Sequence, residues 1–187
     1  QLGVQIRDGS RLYLEDVTVS NSNESGISLT HDAMAYLKRV KISKMRELGI
    51  QIANINNGFI EIDECESFEN NKGGLLIQNN IPDGCCIIKD TKFYKNANVG
   101  VNTNGENTRP KFINCSFTAN KVVAIHVLNG AEVTMINTVF KGDGNNGIFL
   151  NNAIAHIEKA DFSNFSNSAV TCSNSANADL KDCVIHD

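Results

Sequence analysis

The chain has 187 residues and a net charge of -4, from seventeen Lys and Arg against twenty-one Asp and Glu. This balance offers no basic surface to nucleic acid and no polybasic face to anionic lipid, so we expect neither partner. Hydrophobic residues make up 41% of the sequence, yet no uncharged apolar run approaches the roughly 18 residues of a bilayer span, and membrane insertion is not expected.

A small residue followed by alternating apolar positions recurs from one end of the chain to the other. Its copies begin at Gly3, Gly26, Gly49, Gly74, Gly100, Ala124, Gly147 and Ala169. Successive copies lie 22 to 26 residues apart. The alternation has the period of a β-strand with one buried face.

A second motif, apolar-x-x-apolar-x-apolar, follows in every repeat with the same spacing. Its copies begin at Leu14, Leu37, Ile62, Ile88, Phe112, Met135, Ile157 and Leu180. The third copy is imperfect, because Ser67 stands where an apolar residue is expected. No repeat contains a helix-length stretch, and so short a unit cannot close a core alone. We therefore predict an all-β fold, a parallel β-helix of about eight coils with 22 to 26 residues each.

The alternative solenoid is the leucine-rich repeat, whose strand motif fits residues 112–120. That architecture needs a helix or 3₁₀ segment in the rest of each repeat. Here the rest reads as a glycine-led strand and turn residues, which favours the β-helix.

Stacked coils place residues of equal phase about 4.8 Å apart, so their charges should be complementary. One outward row reads Glu15, Lys38, Asp63, Lys89, Ile113, Ile136, Glu158 and Lys181. Its signs alternate wherever neighbours are charged. The row that begins with Asp16 and Arg39 alternates nearly as well, and both support the register.

A turn position lies five residues after each small residue. It is occupied by Asp8, His31, Asn54, Asn79, Gly105, Asn129, Asn152 and Asn174. Asn tolerates left-handed backbone angles, and stacked amides can hydrogen-bond along a column. We predict a structural asparagine ladder at these turns.

The units at 49–54 and 112–120 resemble the parallel β-helix repeats of the pectin-lyase-like superfamily. The resemblance covers essentially the whole chain and implies a right-handed β-helix. The superfamily includes polysaccharide lyases, glycoside hydrolases and epimerases, phage tailspikes, and non-catalytic repeat regions of intracellular proteins. The fold alone does not choose among these functions.

Polysaccharide cleavage needs clustered carboxylates, for acid and base roles or to hold Ca²⁺. The best cluster is Glu61, Asp63, Glu64, Glu66 and Glu69. Its rows also contain Lys38, Arg39, Lys41, Lys89 and Lys92 in adjacent coils. We predict a charge-paired wall there, with a Ca²⁺ or acid–base site as the alternative, and assign no catalytic residue.

The outward face of the glycine-led strands is the candidate binding surface. Its neutral amides and hydroxyls suit sugar hydroxyls, although ordinary solvent-facing strand positions would look similar. The candidate binding residues are Gln5, Arg7, Gln51, Gln78, Asn102, Asn104, His126 and Phe149. Phe149 is the only aromatic expected on this face.

Metal and cofactor sites are not predicted. The four His residues, at positions 31, 126, 156 and 186, fall in different rows. The segment 141–147 resembles a calcium loop but has one carboxylate and no closing Glu, so we expect a wide turn.

The cysteine pattern favours free thiols. Cys65, Cys115 and Cys183 share one inward row, Cys86 and Cys172 take other inward phases, and Cys85 alone should point outward. Cys65 and Cys115 are two coils apart, too far for a disulfide. Reduced inward cysteines favour an intracellular location.

We therefore expect a non-catalytic scaffold or binding region that presents polar ladders to a protein or glycan partner. The alternatives are a polysaccharide lyase or glycoside hydrolase and a secreted adhesin or tailspike-like β-helix. We expect one domain, 1–187, within a longer chain. Neither end shows a capping helix, so other domains or subunits should cover both ends.

Overall fold

The computed structural model describes residues 2–142, 144 and 146–186, which form twenty-four strands in three parallel sheets. Sheet A consists of β1 (Val4–Ile6), β4 (Ile27–Thr30), β7 (Leu48–Ala53), β10 (Gly73–Gln78), β13 (Val99–Asn104), β16 (Val123–Leu128), β19 (Asn146–Asn151) and β22 (Ser168–Ser173). Sheet B consists of β2 (Arg11–Glu15), β5 (Met34–Lys38), β8 (Phe59–Asp63), β11 (Cys86–Lys89), β14 (Lys111–Ile113), β17 (Glu132–Ile136), β20 (Ile154–Glu158) and β23 (Asn177–Lys181). Sheet C consists of β3 (Thr18–Ser20), β6 (Lys41–Ser43), β9 (Glu66–Phe68), β12 (Lys92–Tyr94), β15 (Ser116–Thr118), β18 (Val139–Lys141), β21 (Asp161–Ser163) and β24 (Val184–His186).

One strand from each sheet makes a coil, and eight coils stack into a parallel β-solenoid. Val4 pairs with Ile27 in sheet A, and the register continues coil by coil to the pairing of Ile148 with Val170. The predicted fold is confirmed. The leucine-rich alternative is wrong, because the described residues contain no helix or 3₁₀ segment. In particular, they include no helix with the length and apolar character needed to cross a bilayer.

The predicted outward row on sheet B is also confirmed. Glu15 pairs with Lys38 in backbone register, and Lys38 pairs with Asp63. The ion pairs form both along a row and diagonally between rows. Arg39, in the turn after β5, donates to Glu15 over 2.6 Å and to Asp16 over 2.7 Å, because its planar guanidinium can serve two carboxylates at once.

Left-handed residues make the turns between sheets. The predicted column from Asp8 to Asn174 has φ angles of 47° to 59° at its non-glycine members. Two of its five amides bond to the adjacent column: Asn129 donates to Asn104 and Asn174 donates to Asn151, both over 2.8 Å. The asparagine ladder is therefore confirmed, but its hydrogen bonds join an asparagine in the turn of one coil to an asparagine at the strand end of the preceding coil.

The turn from sheet A to sheet B varies in length between coils. It spans residues 31–33 in coil 2, 79–85 in coil 4 and 105–110 in coil 5. The sheet A strands before these long turns keep their pairings, whereas the sheet B strands after them stay in register but shorten to four residues in β11 and three in β14.

Apolar side chains fill the interior of the solenoid. Along sheet C, the rings of Phe93, Phe117, Phe140 and Phe162 stack with centroid separations of 5.4, 4.9 and 4.6 Å. Ser67 occupies the same row, where its hydroxyl donates to the Gly74 carbonyl over 2.8 Å. The imperfect third repeat therefore places a satisfied polar residue inside.

A second asparagine ladder lies inside the turn from sheet C to sheet A, where the sequence analysis did not place one. Asn70, Asn96 and Asn120 are buried. Each side-chain amide donates to the next Oδ1, from Asn70 to Asn96 over 3.1 Å and from Asn96 to Asn120 over 2.9 Å. These amides satisfy backbone groups that would otherwise be buried without partners.

In coil 8 the inward side chains have the predicted phase, but they are not fully buried. Leu180 is 41% exposed and Ile185 is 59% exposed, whereas Ile157, one coil earlier, is 2% exposed. Cys172 pairs in register with buried Leu150 but is itself exposed. An inward side chain is buried only when coils lie on both sides of it, so Cys172 has the predicted inward phase but is exposed.

Candidate functional site

The outward side chains of sheet A form one continuous surface, which we call the amide face. Strand alternation buries Ile50 and Ile52 and turns Gln51 between them outward. The residues in register with Gln51 are Gln5, Ser28, Leu76, Asn102, His126, Phe149 and Thr171. The column therefore contains five of the predicted binding residues and runs through all eight coils.

The other three predicted residues lie at the edge of this face. Gln78 and Asn104 are register partners in the neighbouring column. Arg7 follows β1, where its Nε lies 3.3 Å from an Asp8 carboxylate oxygen. The structure thus gathers seven of the eight residues on one face and places the eighth in the flanking turn.

The amide face deepens into a cleft at coils 1–3. Its volume is about 520 Å³, within the usual range of ligand sites. Gln5 and Gln51 line it together with Ser28, Thr30 and His31. Its lining combines uncharged hydrogen-bonding groups with two acidic side chains at the rim, Glu24 and Glu47.

His126 lies farther along the column, outside the cleft. Its ring meets Phe149 edge-on, with centroids 5.4 Å apart and planes 61° apart. Burial lowers the pKa of His126, so the imidazole is neutral at pH 7. In the preceding coil, Asn102 Oδ1 is buried with no hydrogen-bond partner within the described part of the chain. The centre of the face is therefore uncharged but rich in hydrogen-bonding groups.

Three of the five carboxylates in the cluster on sheets B and C are paired with cations. Glu61 binds Lys89 over 2.5 Å, Glu66 lies 3.6 Å from Lys41, and Glu64 lies 3.8 Å from Lys38. These are the cross-coil pairs that a charge-paired wall requires. Residues 2–142, 144 and 146–186 contain no group of three or more His, Cys, Asp or Glu placed to hold a metal ion.

Sheet B has an apolar feature that the sequence analysis missed. The rings of Tyr13 and Tyr36 stack with centroids 5.4 Å apart and planes 16° apart. They form one wall of a groove of about 480 Å³. The opposite wall and the floor are formed by Arg11, Met34, Phe59, Leu12 and Ala35. We call this feature the aromatic groove; its sequence signal is two tyrosines one repeat apart.

The six cysteines are free thiols. Burial raises the pKa of Cys65 to about 11 and that of Cys115 to about 12, so both thiols are neutral and unreactive at physiological pH. Cys85 was expected to point outward, but it is half-buried against the core. It lies in the long turn before β11, where strand alternation does not apply.

The predicted wide turn over 141–147 includes Asp143 and Asn145, which lie outside the described residues. The four His residues lie apart, as expected. His31 is in a turn, while His126, His156 and His186 lie on sheets A, B and C.

The family described as right handed beta helix region matches residues 1–140 of the chain. None of the curated proteins matches the sequence.

Solved structures of an alginate epimerase share the fold. The crystal structure of the periplasmic alginate epimerase AlgG has a TM-score of 0.75 and 14% identity, over 100% of this chain and 51% of that one. A single mutant of AlgG has a TM-score of 0.80 and 12% identity, over 98% and 48%. A double mutant has a TM-score of 0.79 and 13% identity, over 98% and 48%. The chain spans about half the length of these AlgG chains, and identities this low show the fold alone.

Proposed function

The chain belongs to the right-handed β-helix family, and from this premise we propose that it is a non-catalytic carbohydrate-binding region. The observation that carries the proposal is the amide face, an uncharged column that continues through every coil, with hydrogen-bonding side chains in six coils and the apolar Leu76 and Phe149 in the other two. The likeness to an alginate epimerase is in keeping with a polysaccharide ligand.

The regular stacking of the coils suits a polymer. Adjacent strands lie about 4.8 Å apart, so a glycan chain laid along sheet A meets a new outward side chain at each step. The amides of Gln51 and Gln78 can donate to and accept from sugar hydroxyls. Phe149 adds an apolar surface beside the neutral His126.

The charges of the face predict the character of the binding. Arg7 is the only cation among the candidate residues, and Asp8 pairs with it. Binding at the amide face should therefore depend little on salt, unlike binding dominated by ion pairs. Glu61, Glu64 and Glu66 are held in ion pairs, which supports a non-catalytic role.

We also propose that residues 1–187 act as one domain, because each sheet continues from coil 1 to coil 8.

The test measures binding to a panel of neutral and acidic polysaccharides at low and high salt. His126→Ala should weaken binding about tenfold, which corresponds to about 1.4 kcal/mol. The matched control is His156→Ala, which removes the same side chain from sheet B. Equal losses in both variants, or no binding to any glycan, would overturn the proposal. Shortened or epimerised polymer after incubation would overturn its non-catalytic part.

A further inference from the structure

The aromatic groove is confined to coils 1–3. Tyr13 is 61% exposed and Phe59 is 41% exposed. The outward column that begins with Tyr13 and Tyr36 continues as Glu61 in coil 3, and then as Ile87, Lys111, Thr134, His156 and Asp179 in the later coils. Exposed aromatic and apolar residues gathered at one place commonly mark a binding site.

Two polar groups at the groove are free to bind a ligand. Arg11 forms no ion pair with any residue that the structure describes, whereas Arg39 on the same side is bound to Glu15 and Asp16. The Tyr36 hydroxyl likewise has no hydrogen-bond partner among residues 2–142, 144 and 146–186, while the Tyr13 hydroxyl donates to Glu15 over 2.5 Å. The groove therefore combines an apolar wall with one unpaired cation and one free hydroxyl.

The groove lies next to the cleft of the amide face. His31 lines the cleft, and Met34 lines the groove. In coil 2 only the turn of residues 31–33 separates the two strands. One ligand can therefore cross this corner and occupy both surfaces.

We propose that the aromatic groove is a second glycan subsite, selective for a sugar that carries a carboxylate. This proposal rests on the proposed function and names the class of sugar. The apolar face of a sugar ring packs against tyrosine, whose ring is apolar and whose hydroxyl is polar. The guanidinium of Arg11 can hold a carboxylate through two parallel hydrogen bonds.

The backbone of sheet B favours a sugar over a peptide. An extended peptide binds most readily by adding a strand to a free sheet edge. β5 is paired on both sides, with β2 and β8, so the middle of the groove offers no such edge. A glycan needs only the side chains that line the groove.

Tyrosine fluorescence gives a direct readout, because the chain has three Tyr and no Trp. Tyr94, the remaining tyrosine, stacks on Phe68 in sheet C with centroids 4.7 Å apart. A ligand in the groove should perturb Tyr13 and Tyr36 alone. The probes are oligosaccharides of a uronic acid and the same oligosaccharides after reduction of their carboxyl groups.

Arg11→Gln should weaken binding of the uronate oligosaccharides about tenfold and leave the reduced ones unchanged, as expected for loss of one charge-assisted pair. Tyr36→Ala should weaken binding of both probes. The matched control is Arg46→Gln, which removes another exposed arginine, in the turn after β6, and should change neither affinity. The melting temperature of each variant reports whether it is folded.

The outcomes separate this proposal from the proposed function. If Arg11→Gln and Tyr36→Ala bind like the parent protein while His126→Ala does not, the groove is not a subsite and the amide face stands. If only the groove variants lose binding, the amide face is excluded and the groove stands. Fluorescence that changes with protein concentration alone would show that a second copy fills the groove, which would overturn the proposal.

Discussion

Asn96 is the centre of the buried asparagine ladder, and removing its side chain tests whether the ladder stabilises the solenoid. Its Oδ1 accepts the backbone N–H of Asn70 over 3.1 Å. Its Nδ2 donates to the Ser67 carbonyl over 3.1 Å and to Asn120 Oδ1 over 2.9 Å. Asn96→Ala removes all of these bonds inside a turn that water does not reach.

The expected loss follows from the groups left behind. The Asn70 N–H loses the side chain that bonds it, whereas the Ser67 carbonyl lies in the paired strand β9. A buried polar group without a partner costs about 1–3 kcal/mol, so the free energy of unfolding should fall by roughly that amount. This is a large part of the stability of a typical domain.

The assay is urea unfolding followed by circular dichroism, with Asn98→Ala as the matched control. Asn98 lies in the same loop but is exposed, and its side chain bonds to no residue that the structure describes. The control should change the free energy of unfolding by less than about 0.5 kcal/mol. If Asn96→Ala and Asn98→Ala unfold at the same urea concentration, the ladder does not stabilise the turn.

Three further predictions test other parts of the structure. Ile88→Asp should melt several coils, because an inward charge without a partner costs several kcal/mol; an unchanged melting curve would contradict the inward phase of β11. The backbone N–H of Asn57 lowers the pKa of Asp32, so the carboxylate stabilises the fold above its unfolded pKa of about 3.9, and this contribution disappears as the pH falls through the lower folded pKa. The difference in urea midpoint between the parent and Asp32→Asn should therefore close in acid, and a difference that is constant with pH would contradict the hydrogen bond. Cys172 should be alkylated quickly and Cys115 slowly at pH 8, because Cys115 is buried; equal rates by mass spectrometry would refute this.

The register of the fold was predictable from the sequence, because alternation and repeat length fix which residues stack. Glu15 and Lys38 are backbone register partners, and this register does not depend on which side chains form an ion pair. The pairing of Arg39 with Asp16 follows from the same register, but its second partner, Glu15 in the neighbouring row, was not predictable in this way. It depends on the direction of a side chain in a left-handed turn, which the repeat pattern does not encode.

The features that were missed had weaker signals. The buried ladder occupies three coils, and Met45 stands at the equivalent position one coil before Asn70, so periodicity alone could not mark it. Tyr13 precedes the second motif, which begins at Leu14, so the motif alone does not mark it as an outward strand position. Extending the alternation back to Arg11 would have placed Tyr13 and Tyr36 in one column.

The turn from sheet A to sheet B, the corner between these sheets, differs in length between coils, and this bears on where the sequence can accept insertions. Loop closure entropy rises slowly with length, and the sheet A strands keep their pairings beside the long corners at 79–85 and 105–110. The sheet B strands that follow shorten but remain in register, so the coil tolerates extra residues at this corner. A lineage, or a designer, can graft new recognition loops onto this corner one coil at a time while the rest of the solenoid keeps its shape.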